Sequence, residues 1–264
     1  MKMKRIATAA LAVLIVAGLP GVAAAQDAST DEPPAVVQDR EAAQADRQAT
    51  RAETEARWVE AVKARALEAI DKRLAIIDDL QAAIDRSQTV EPDHAGRLKG
   101  ELQSSQSGLE ALARKIDDAD DLTTLRDLVP QIFENYRIYA VVAPKVHLVL
   151  ASDAGTAVAA RLDEAADRLG EALDRLEESG VDVSDAEALL AEMQRLVASG
   201  GDAAASVPDV VIGLKPSDYP ESTEVLRSAH EVMKSARSDL RTAGESAHEI
   251  VRFIKSVVGD GTTN

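Results

Sequence analysis

The chain of 264 residues predicts an all-α fold, an elongated antiparallel helical bundle of coiled-coil type. Three observations carry that prediction. Leu226, Ala229, Met233, Ala236, Leu240, Ala243, Ala247, Ile250, Ile254 and Val257 form an unbroken ladder of steps of three and four. The same spacing recurs over residues 122–150. Such alternation places one narrow apolar stripe on one helix face, as in a slender bundle. The bulk composition agrees, with 2% aromatics, no cysteine and 14 glycines. That composition does not suit an enzyme with a wide core, and without disulfides stability must come from helix packing.

The first segment is read as a leader. Lys2, Lys4 and Arg5 precede an apolar run over residues 6–19, Pro20 breaks it, and Ala23-Ala24-Ala25 offers a small-x-small cleavage pattern before Gln26. A bilayer core needs about 20 apolar residues, so a cleaved signal peptide over residues 1–25 is favoured over an anchor. Removing it takes away three bases and no acid, moving the net charge from −16 to −19. A mature chain so acidic repels nucleic acid and anionic lipid surfaces. Its destination is extracytoplasmic, secreted or associated with the cell envelope, with no integral membrane segment after cleavage.

Residues 26–57 read as a disordered or frayed polar arm. Paired prolines sit near its start, and residues 37–57 have helix propensity but almost no large apolar residue to bury. The first amphipathic helix begins at Trp58 and Val62 and runs through Leu67, Ile70, Leu74, Ile77 and Ile84 to about Ser87. After a short turn, Pro92 opens a second helix carrying Leu98, Leu102, Leu109, Leu112 and Ile116, with Ser105 in the same stripe. Asp117, Asp118, Asp120 and Asp121 then favour a helix start. A third, long helix is predicted from Leu122 to Leu176, kinked at Pro130 and Pro144. Ser184-x-x-Glu187 is a capping-box pattern for a fourth helix, ending at Gly200-Gly201 or the alanines up to Ala205. Residues 207–219, with Pro208, Gly213 and Pro216, predict an extended segment. Ser217 or Asp218 would cap the last helix, with Pro220 in its first turn, and a Gly-rich tail follows over 259–264.

Short turns force antiparallel neighbours. The helices then group as an N-terminal three-helix bundle over 58–146 and a C-terminal one over 147–258, sharing the long central helix in a spectrin-like architecture. A length count lays the extended segment across residues 138–151, the one run that is apolar all round its helix.

That junction gathers the chain's distinctive side chains. Tyr136, Tyr139, Ala143 and His147 share one face of the predicted helix, with Arg137, Pro144, Lys145 and Tyr219 beside them. They make either a binding patch for a small ligand or envelope polymer or a packed junction with its polar tips satisfied internally. Residues 133–153, FENYRIYAVVAPKVHLVLASD, resemble the signature of an uncharacterised group of exported helical proteins from high-GC Gram-positive (actinobacterial) bacteria. In that group the core reads Y-R-[VI]-Y-x-x-x-x-P-x-x-H, matched by Tyr136, Arg137, Ile138, Tyr139, Pro144 and His147. The resemblance implies a helical fold and export, and no chemistry.

Catalytic and metal signatures are weak. His94, His147, His230 and His248 never pair at i, i+4, and His230-Glu231 and His248-Glu249 lack the second histidine of a zinc helix. They are expected at the surface. The acidic turn at Asp117 lacks the glycine and terminal glutamate of a calcium loop. No P-loop or nucleophile elbow is present. The expectation is a non-enzymatic structural or protein-interaction module without cofactor or metal. It is a monomer or self-associates weakly through the arm, and its partner is an unidentified envelope or secreted protein.

Overall fold

The computed structural model describes residues 34–260, all helices and turns with no strand among them. The fold is all-α. The predicted leader and the far ends of the arm and tail lie outside the described residues. Helix α1 spans Pro34–Arg86, α2 Pro92–Asp117, α3 Leu122–Leu128 and α4 Gln131–Glu134. A π-helical turn at Ile138–Val142 leads into α5, Ala143–Glu178. Then come α6, Ser184–Ala205, the short α7, Val207–Val211, a 3-10 turn at Pro216–Asp218, and α8, Ser222–Asp260.

The chain divides into two compact units, Met1–Thr50 and Arg51–Asn264. In the first, the described residues form the opening of α1, and every side chain from Asp39 onward is exposed. The sequence explains this, since the segment has no apolar stripe for a helix to bury.

In the second unit the apolar stripes make two clusters. One joins Ile70, Ile77 and Ile84 of α1, Leu98, Leu102, Leu109 and Ile116 of α2, Leu125 and Ile132, the π turn, α7 and the first turns of α5 and α8. The other joins Ala159, Ala166 and Leu173 of α5, Met193 and Val197 of α6, and Leu240, Ala243 and Ile250 of α8. The first buried rung of α1 is Val59 rather than Trp58, whose side chain stands 59% exposed. Where α6 crosses α8, Gly200 lets the backbones close, because a Cβ there would lie 2.9 Å from Leu240 and 3.0 Å from the Ala236 carbonyl. The last helix is long because nothing interrupts its ladder, and it runs through Gly259 to Asp260, where a frayed tail was expected.

Several local expectations are corrected. The long third helix is instead a series of segments, because Pro130 stops α3 and Arg137 adopts the left-handed conformation (φ 42°, ψ 38°). A non-glycine residue there costs about 1–2 kcal/mol and cannot continue a helix. Pro144 sits in the first turn of α5, directly after the π-helical turn. Residues 207–219 are not extended. Pro208 sits in the first turn of α7, where proline is tolerated, and Val207 and Val211 turn inward on one face. The capping box at Ser184 does not form. Asp182 reaches forward instead, its Oδ1 accepting from the Ser184 N–H at 3.1 Å and from the Ser184 hydroxyl. Neither Ser217 nor Asp218 caps the last helix. Asp218 accepts from the Lys215 N–H at 2.8 Å within the 3-10 turn, and Pro220 precedes the helix start at Ser222.

Candidate functional site

The π turn and the head of α5 hold most of the distinctive residues, but the break at Arg137 turns them in different directions. Tyr136 and Tyr139 do not share the face of His147, because Tyr136 lies before the break and the π turn shifts the register after it. The Tyr136 ring lies on α2 where only glycine leaves room: a Cβ on Gly108 would come within 2.6 Å of its Oη. Burial there pushes the Tyr136 phenol above the ordinary tyrosine range. Tyr139, half exposed, donates to the Lys72 carbonyl of α1 at 3.4 Å. Its ring and that of Phe133 flank the Arg73 guanidinium, 5.3 Å and 4.6 Å from the ring centres. Burial depresses the basicity of Arg73, and its Nη1 donates to the Ala69 carbonyl at 2.6 Å.

Arg137 stacks its guanidinium 4.1 Å from the Tyr219 ring centre. That pairing ties the strained residue to the turn before α8, a cation–π contact of about 1 kcal/mol. Pro144 serves the helix start alone. Lys145, fully buried, forms an ion pair with Glu101 of α2 and donates to the Leu214 carbonyl at 2.6 Å. Two turns on, Asp153 accepts from the Glu91 N–H at 3.1 Å and meets His94 Nδ1 at 2.9 Å. His94 is therefore no surface histidine; its side chain is largely covered. Ser152 donates to the Ala204 carbonyl at 2.7 Å. These polar groups are struts between helices, each directed at a protein partner.

Of the predicted junction residues, Arg137 and Tyr219 touch each other, Tyr136, Tyr139 and Lys145 contact other helices, and Pro144 has only a backbone role. His147 opens onto a sizeable cleft. That cleft, of about 550 Å³, lies between α5 and α8 and is lined by His147, Leu148, His230, Lys234, Arg237, Ser238 and Arg241. A second of about 550 Å³ lies over Glu101 and the 212–217 turn, beside Arg97 and Asn135. The α8 part of the first cleft escaped the sequence reading. His230, Lys234, Arg237 and Arg241 recur at helical spacing, but a basic stripe on a helix with as many acids as bases reads as solvated charge until the partner helix is known.

Among the described residues, no three His, Cys, Asp or Glu are grouped to hold a metal ion. Comparison with protein-family models, curated proteins and solved structures finds no match.

Proposed function

We propose that this protein is an exported, non-enzymatic helical module of the cell envelope that engages a protein partner through the opening of α1. The carrying observation is the exposure of every side chain from Asp39 to Trp58 along a continuous helix. A helix that is polar all round gains little from its own chain. Intrahelical bonds such as Arg57 to Glu53 at 2.6 Å are each worth a few tenths of a kcal/mol. Ordering such a segment is worthwhile when a partner covers it. The charged, apolar and small-residue order of the leader supports export, and the likeness of residues 133–153 to exported actinobacterial proteins agrees with it. The same reading takes the two apolar clusters as two three-helix bundles sharing a central, interrupted helix.

The alternative, a binder of a small ligand or envelope polymer at the aromatic junction, has less support. Tyr136, Arg137, Tyr139, Lys145 and Tyr219 are engaged in protein contacts there.

The test is hydrogen exchange on the mature protein, with a photo-crosslinking residue placed at Ala45 in the producing cells. Residues 39–57 should exchange fast in the purified monomer while 70–84 exchange slowly, and the crosslink should trap one defined envelope protein. Deleting residues 39–57 should abolish envelope retention and leave the melting temperature of the rest unchanged. Slow exchange of the arm in dilute monomer would overturn the proposal, as would unfolding on its deletion. Protection rising with protein concentration would make the partner a second copy.

A further inference from the structure

The cleft beside His147 continues into a trough. Arg237 and Arg241 line both it and a neighbouring cavity of about 290 Å³ bounded by Ala151, Ala154, Gly155, Val158 and Leu240. The two make one groove between α5 and α8 with unlike walls. On α8, His230, Lys234, Arg237 and Arg241 each stand one residue after a buried rung, Ala229, Met233, Ala236 and Leu240. That register sets a basic stripe along the groove's edge, spanning twelve residues or about 16 Å. On α5 the wall is small and apolar beyond His147, and Val158 is 41% exposed.

The chain carries 46 acids against 30 bases, yet no acid lines either cavity. Elsewhere on α8, Arg227 is hydrogen-bonded to Glu224, while Arg252 only approaches Glu249, at 3.6 Å. In the groove the pairing is as loose as at Arg252. Lys234 lies 3.6 Å from Glu231 and Arg241 3.7 Å from Glu245, beyond hydrogen-bond reach. Arg237 has no ion-pair partner, and His147 and His230 have no hydrogen-bond partner, among the described residues. Positive charge so concentrated and only loosely paired favours an anion among these side chains.

We propose that this groove binds a single-chain amphiphile with a phosphate head. The head sits among His147, His230, Lys234 and Arg237, and the apolar chain lies in the trough along Ala151, Ala154 and Val158. A phosphate monoester carries a charge of about −1.5 to −2, which suits two permanent cations and two imidazoles better than a single carboxylate would. Guanidinium forks match phosphate oxygens in pairs. The apolar wall gives the tail a place that a free phosphate would leave wet. The cations also set the entry direction, because the rest of the acidic surface repels the head.

The test titrates the mature protein with dodecyl phosphate below its micelle threshold by calorimetry. Inorganic phosphate and a neutral dodecyl glycoside serve as the two half-ligands. Dodecyl phosphate should bind one to one, at least tenfold more tightly than either. Lys234→Gln with Arg237→Gln should weaken it at least tenfold, and so should Ala154→Asp, each with an unchanged helical spectrum and melting temperature. Inorganic phosphate binding as tightly as dodecyl phosphate would overturn the amphiphile and leave a bare anion site. The glycoside binding equally well, or binding indifferent to the Lys234 and Arg237 substitutions, would overturn the head-group assignment. If those two substitutions changed sedimentation while no probe bound, the groove would be a protein contact and the proposal wrong. If Ala154→Asp alone disturbed the fold, Val158→Asn, at an exposed rim position, replaces it as the trough variant.

Discussion

The head of α5 has two faces that received opposite treatment. Toward α2 and the turn after α7, Lys145 and Asp153 are buried and bonded. Toward α8, His147 and Val158 stand exposed beside a groove. Polar residues occur on both faces. On the sealed face Lys145, Ser152 and Asp153 are each placed against a partner, because an unmade bond there carries a desolvation cost of about 1–3 kcal/mol. On the open face no partner was supplied, and water or a ligand must take that place. Chemistry-bearing residues near one another in sequence are thus poor evidence of a shared site when they point into different neighbours.

The sharpest break between the faces should come from Lys145→Met. It removes the ammonium from a fully buried position and strands the Leu214 carbonyl. Losing one partner of a buried pair costs about 3–5 kcal/mol. Glu101 is 28% exposed and can rehydrate, so the expected loss is near the lower end, about 3 kcal/mol in urea melts. His147→Ala, two residues away, should cost less than about 0.5 kcal/mol. Equal losses would mean that the open face is structural too.

Asp153→Asn comes next, at about 1–2 kcal/mol. The carboxylate accepts from both the Glu91 N–H and His94, and an amide would turn an NH₂ toward one of them. His94→Gln should then lose less than Asp153→Asn, because the Glu91 bond survives. A larger loss at His94 would move the weight of this strut to the histidine.

Glycines give the next step, with a change of sign. Gly100 on α2 has nothing within 4 Å of where an added methyl would sit, so Gly100→Ala should stabilise by up to about 1 kcal/mol. At Gly200 the same methyl meets Leu240 and a backbone oxygen of α8. The overpacking cost of about 1–3 kcal/mol should exceed the propensity gain and give a net loss of about 1 kcal/mol. Thermal melts of the two variants should shift in opposite directions, and shifts of one sign would show that α6 and α8 can separate freely.

Much of the frame was legible because apolar spacing is a local signal. The ladder from Leu226, the heptads of α2 with Ser105 among them, and the acidic start of α3 all read directly from the sequence. Asp121 caps α3 through the Thr123 and Thr124 N–H groups at 2.8 and 2.9 Å. The misses share a cause. Arg137 takes a left-handed conformation that no propensity marks, held by the ring of Tyr219, far along the chain. The capping role of Asp182 over Ser184 and the burial of His94 likewise depend on geometry. The groove needed two helices in register, so its basic wall looked like ordinary solvated charge.

The smallest effect concerns Tyr136, which reports whether the sealed face is sealed. Its phenol is held above the ordinary range by burial against α2. A group whose folded pKa is raised keeps its full stabilising contribution below the unfolded value, about 10 for tyrosine. That contribution is lost as pH rises through the folded value, because the unfolded chain releases its proton first. Tyr139→Phe with Tyr219→Phe would leave Tyr136 as the only tyrosine, so that phenolate absorbance follows it alone. The ionisation midpoint should then lie above the ordinary tyrosine value in the folded protein and return to it in urea. Adding Gly108→Ala pushes a methyl to within 2.6 Å of Oη, forces the phenol outward, and should bring its ionisation back toward the ordinary value with little change in melting temperature. An ordinary titration curve before that change would show that Tyr136 is solvated and that the sealed face stops at Lys145.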